Sequence, residues 1–174
     1  MDNYFNKKDA DNLRKVFTVL KIVGAILMPF SMFLPFVKGD IGSYKNLSLI
    51  DYTRLVLEHS KEYTGSDFLG KMILILVSLI GIFSVLNLLF SLFSYKSNPT
   101  KTIVFTVLAG LVFLVLRWDF IDRGVIGEYG LKWDIAYYIF IIGTLISLAG
   151  SIVILVYDKK NKKTKEAQNE EEQK

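Results

Sequence analysis

Residues 78–94 read SLIGIFSVLNLLFSLFS, an apolar run with an asparagine near its middle and a serine or glycine at every third or fourth place. A soluble helix would carry charged residues on one face. This run carries none, which makes it a candidate to cross a hydrocarbon core of roughly 30 Å, a distance that takes about 20 helical residues. Small and polar residues within such a run have two uses. They let helix backbones approach closely, or they line a polar path.

Three further blocks of the same kind lie along the 174 residues, of which 52% are hydrophobic. The expected spans are 16–37, 68–94, 102–117 and 135–157. The expected fold is an all-α integral membrane protein, a bundle of four transmembrane helices with little material outside the bilayer. The first block is too long for the apolar region of a cleaved signal, and PFSMFLPFVKGD offers no A-x-A-like site, so it reads as a retained span.

Basic residues set the orientation. Lys7, Lys8, Arg14 and Lys15 precede span one, Lys96 and Lys101 sit in the link 95–101, and Lys159, Lys160, Lys162, Lys163 and Lys165 follow span four. Both termini are therefore expected in the cytoplasm, with 1–15 as an amino-terminal segment and 158–174 as a disordered tail. The five lysines of the tail are candidates for lipid headgroup contact, as are Trp118 and Trp133, which bracket the second outer loop. Lys21 and Lys71 fall just inside the apolar blocks and are expected to snorkel to the interface.

The outer loops are 38–67 and 118–134. In the first, Ser48 and Asp51 have capping-box spacing, and Leu49, Tyr52 and Val56 fall on one face. A short amphipathic helix is expected there, over about 49–61. The stretch VKGDIGSY is compatible with a short strand or turn. The second loop, WDFIDRGVIGEYGLKW, has three glycines and reads as a turn or short hairpin.

The chain has no cysteine, which removes disulfides, cysteine-ligated metals and thiol chemistry. His59 is the only histidine, and no nucleophile-elbow, zinc-protease or P-loop pattern occurs. Every Asp and Glu lies outside the four blocks. Asp119, Asp122, Glu128 and Asp134 cluster at the outer rim and read as a solvated acidic loop. No enzymatic activity, cofactor or metal site is expected, and the basic balance belongs to the membrane flanks and not to nucleic acid.

Ser78, Gly81, Ser84, Asn87 and Ser91 in span two, with Gly143, Ser147 and Ser151 in span four, form the expected helix-packing seam. The competing reading makes the span-two stripe the lining of a path. Layout adds a resemblance. A short inner amino end, a long first outer loop, a short inner link and a shorter second loop are similar to the claudin and peripheral-myelin tetraspan plan, although the W-G-L-W-C-C signature of that family is absent. FLPFVKGDIGSYKNLSLID and IGEYGLKWDIAYYIFIIGTLI resemble stretches of uncharacterised small four-span membrane proteins of low-GC Gram-positive bacteria. The resemblance implies a multi-pass protein of the plasma membrane and brings no activity with it. The function expected is non-enzymatic: an accessory subunit, scaffold or immunity-type protein that binds another membrane protein or itself. A small channel or transporter is the alternative.

Overall fold

The computed structural model describes residues 7–39, 46–64, 67–93, 99–127 and 130–172, with side chains over 12–39, 46–62, 67–93, 99–127 and 130–162. Five helices and three short strands follow in the order α1 (Lys7–Ser31), β1 (Pro35–Lys38), β2 (Leu47–Ser48), α2 (Leu49–Thr64), α3 (Phe68–Phe93), α4 (Thr100–Asp122), β3 (Lys132–Trp133) and α5 (Ile135–Glu172). Three helices, α3, α4 and the first 28 residues of α5, are long and apolar enough to cross a membrane.

The four long helices form a ring in which α1 packs on α3 and α5, and α4 packs on the same two. The buried residues of α3 are Gly70, Ile73, Val77, Ile80, Ser84, Asn87 and Ser91, spaced alternately three and four apart. Thr102, Thr106, Ala109, Phe113, Leu116 and Phe120 repeat that spacing in α4. A period of 3.5 keeps one seam facing its neighbours and suits helices crossing at about 20°. The α1–α5 contact is closest at glycines. A Cβ on Gly24 would lie 2.4 Å from the Ser147 nitrogen and 2.6 Å from the Gly143 carbonyl, so no side chain fits there. Arg14 of α1 pairs with Asp158 of α5 at 3.2 Å, which puts the start of α1 and the later turns of α5 at one end of the bundle.

The other end is capped. The cap holds a small three-stranded sheet with β1 central between β2 and β3, both antiparallel to it, which corrects the all-helical expectation. Span one was expected to continue to Val37, but α1 stops at Ser31. Pro29 has no amide hydrogen to give, and Pro35 disfavours helical geometry in the residue before it. Between them the chain turns tightly, with Met32, Phe33 and Leu34 nitrogens each donating three residues back at 3.2 Å. The strand then carries Phe36 and Val37 into the core.

Helix α2 has the cap its sequence encodes. The Asp51 amide donates to Ser48 Oγ at 3.1 Å, and Ser48 Oγ donates to Asp51 Oδ2 at 2.6 Å. Leu49, Tyr52 and Thr53 are buried while Asp51, Arg54 and Glu58 are exposed. Helix α4 runs past the expected end at Arg117 because Phe120 continues its buried face. It ends before Gly124, which has φ 68°, and Gly127 and Gly130 also have positive φ, so the glycines of this loop do the turning that side chains resist. Part of the expected acidic rim is not solvated. Asp119 is buried and pairs with Arg123, and Asp134 lies 3.9 Å from Lys38. Asp122 is exposed, and Glu128 lies outside the described residues.

The tail expected to be disordered continues α5 to Glu172. Lys, Glu, Ala and Gln are good helix formers, and a tail that extends an existing helix skips the costly nucleation step.

Candidate functional site

A cluster of polar side chains sits in the middle of the bundle. Asn87 of α3, Thr106 of α4 and Ser147 of α5 are each fully buried. Asn87 Nδ2 donates to Ser147 Oγ at 3.2 Å, Thr106 Oγ1 donates to Asn87 Oδ1 at 3.0 Å, and the two hydroxyl oxygens lie 3.2 Å apart. These distances close a ring. If Ser147 donates to Thr106, every donor in it meets an acceptor, and the ring ties three helices together. The fourth helix joins through Met28, whose Sδ lies 3.2 Å from Asn87 Nδ2.

One helical turn toward the termini lies a second tier. Thr102 is four residues before Thr106, Ser91 four after Asn87, and Ser151 four after Ser147, and all three are buried. On α1 the matching residue is Lys21, whose Cβ and nitrogen lie 3.1 and 3.0 Å from the position a Cβ on Gly150 would take. Lys21 is only 2% exposed, so its side chain is largely covered by the neighbouring helices, with Arg14 and Asp158 toward the terminal end as the charges that act on it. Lys71 is exposed. The tiers differ in how well they are satisfied. Ser151 Oγ donates to the Ser147 carbonyl at 2.8 Å. The hydroxyls of Ser91 and Thr102 have no hydrogen-bond partner, nor has that of Ser84, which lies three residues before Asn87 in α3.

Of the expected seam, Ser84, Asn87, Ser91, Gly143, Ser147 and Ser151 face the interior, and Gly81 is half-buried against Met32. Ser78 does not join them and is exposed. Steps of three residues fall short of a full turn by about 60° each, so three such steps carry Ser78 to the side opposite Asn87. Thr102, Thr106, Gly24 and Lys21 were not in the sequence-derived seam. The threonines could have been found from the period of 3.5 they share with Ala109 and Phe113; Lys21 could not.

Among the residues expected at lipid headgroups, Trp118 is 65% exposed on α4. Trp133 instead stacks on Tyr137 at 4.4 Å between centroids and packs edge-on to Phe36 at 5.5 Å. Lys159, Lys160 and Lys162 are exposed on α5, and the side chains of Lys163 and Lys165 lie outside the described residues. Among the described residues no group of three or more His, Asp and Glu could hold a metal ion. Compared with known protein families, curated proteins and solved structures, the chain finds no match.

Proposed function

We propose that this protein crosses the cell membrane four times, with both termini in the cytoplasm, and acts by binding another membrane protein as an accessory, scaffold or immunity-type subunit. The observation that carries the reading is an inside-out distribution of side chains. Large apolar residues are exposed along α3, α4 and α5, such as Ile75, Ile82, Leu111, Leu114, Ile142 and Leu145, while the polar ring is enclosed. A soluble bundle would reverse this pattern.

Helix α1 is the fourth crossing in this reading. Its composition is weakened by Lys21, but that residue is turned inward. Lipid would meet Val16, Val19, Val23, Ile26 and Phe30, all exposed. The ion pair between Arg14 and Asp158, with the basic flanks, supports a cytoplasmic position for that end of the bundle. The capped end then faces outward, and α2 presents Arg54, Glu58 and Lys61 on it as the surface for a partner.

Reporter fusions before residue 7 and after residue 172 should both signal from the cytoplasm. An external signal from either would sink the four-span topology. Pull-down of the intact protein from native membranes in mild detergent should recover a stoichiometric partner that an Arg54, Glu58 and Lys61 triple alanine variant loses. Recovery of the chain alone, as a monomer, would overturn the partner-binding reading.

A further inference from the structure

The face of α2 turned away from the bundle carries two adjacent stripes. Ile50, Arg54, Leu57 and Lys61 follow one another at steps of four, three and four residues, and Asp51, Glu58 and Glu62 run beside them. All seven are exposed, Ile50 at 41% and Leu57 at 38%. Among the described residues no ion pair engages Arg54, Glu58 or Lys61.

Contacts on the covered side of α2 place it in the bundle. Tyr52 lies on Phe120 of α4 at 4.6 Å between centroids. Toward the other end, a Cβ on Gly70 of α3 would lie 3.0 Å from Ser60 Oγ and 3.1 Å from Leu57 Cα. Thr106 and Asn87 are hydrogen-bonded at one level, from which Phe120 and Gly70 stand about 21 and 26 Å toward the capped end. From Tyr52 to Ser60 α2 therefore advances about 12 Å while its level changes by about 5 Å. It lies more across the bundle than along it. Lys71 and Asp122 are exposed at the same level, so charged residues are at home there.

We infer that the partner of this face is a second copy of the chain in the same membrane, its α2 laid antiparallel against the first. The inference rests on the partner-binding reading above and names the partner of that same surface. Two copies inserted with one orientation are related by a twofold axis along the membrane normal, and such an axis reverses a helix that lies across it. Pairing centred at Val56 sets Arg54 opposite Glu58 of the second copy, and Asp51 opposite Lys61 of the second copy. Each pair occurs twice by symmetry, and Leu57 falls beside the axis near its own counterpart. A parallel arrangement would instead set Arg54 beside Arg54 and Glu58 beside Glu58. A face that meets an unrelated partner has no reason to be complementary to its own reverse.

The test uses the full chain. Light scattering in mild detergent should give the mass of a dimer. Arg54→Glu and Glu58→Arg should each weaken self-association by about tenfold, since each turns two attractive pairs into repulsive ones. Both reversals in one chain should restore it. The chain has no cysteine, so Leu57→Cys supplies a single thiol. In native membranes a short bismaleimide should link Leu57→Cys chains and leave Ile50→Cys chains unlinked. The two copies of residue 57 stand about 3 Å apart along the helices, and those of residue 50 about 18 Å apart. If a reversal variant does not fold, the two cysteine variants decide. No link through Leu57→Cys, or a double reversal that fails to restore what the single ones lose, would overturn the self-pairing. Recovery of a different protein that the triple alanine variant loses would then leave the partner-binding reading standing, whereas recovery of a lone monomer would remove both.

Discussion

At the capped end Phe36 meets Phe113, Phe120, Trp133 and Tyr137 at centroid distances of 5.5 to 6.1 Å, and Phe113 stacks on Phe140 at 4.2 Å. A few turns along the same helices, the interior changes to Asn87, Thr106 and Ser147, held by hydrogen bonds. One region is joined by aromatic surface, the other by amides, hydroxyls and glycine contacts. In the four-span reading, the difference follows from what surrounds each. In lipid, apolar side chains gain little by turning inward, so close backbone approach and polar bonds must associate the helices. Toward water, burying rings is again favourable, and edge-to-face pairs add about 0.5–1.5 kcal/mol beyond the area they cover.

The sharpest way to break this contrast is to empty the aromatic region. Phe36→Ala removes the ring at its centre and should cost about 3–5 kcal/mol in thermal or denaturant unfolding in detergent. It should also loosen the sheet, seen as reduced near-ultraviolet circular dichroism. Next in size is Gly24→Ala. Its methyl group would collide with the backbone of α5, so the helices must move apart at a cost of about 1–3 kcal/mol. A neutral result there would mean that α1 and α5 do not cross as described.

Asn87→Leu tests the polar region directly. Thr106 and Ser147 keep each other, so the loss should be about 0.6–2 kcal/mol with the fold intact. A loss equal to that of Phe36→Ala would erase the distinction between the regions. The smallest effect belongs to the helix cap. Ser48→Ala removes the hydroxyl that accepts from the Asp51 amide and should cost about 1 kcal/mol. Hydrogen exchange should localise that loss to the first turn of α2, leaving the bundle protected.

Much of the architecture could be read in residue order because the relevant forces are local. The starts of α2 and α3 follow from capping and from the onset of an apolar run, and the interior place of Asn87 follows from the cost of an amide in hydrocarbon. Ser78 shows where a pattern read by eye fails, since spacing by threes drifts around the helix. The early end of α1 was signalled by Pro29 and Pro35, yet the apolar residues between them masked it.

What the sequence alone determined is the set of long apolar helices, the basic flanks, the capped helix α2 and the absence of cysteine chemistry. Each depends on composition or on neighbours within one or two turns. Tertiary structure decided the rest: that β1 pairs with both β2 and β3, that Trp133 packs among rings, that Thr106 completes the ring with Asn87 and Ser147, and that Lys21 turns inward. These arise from contacts between residues far apart in the sequence, as Lys21 and Gly150 are, where several pairings satisfy the same local preferences. Lys21 is the clearest case. It lies midway along α1 in an apolar run, and its low exposure comes with the packing of α1 against Gly150 of α5, a contact that residue order does not announce.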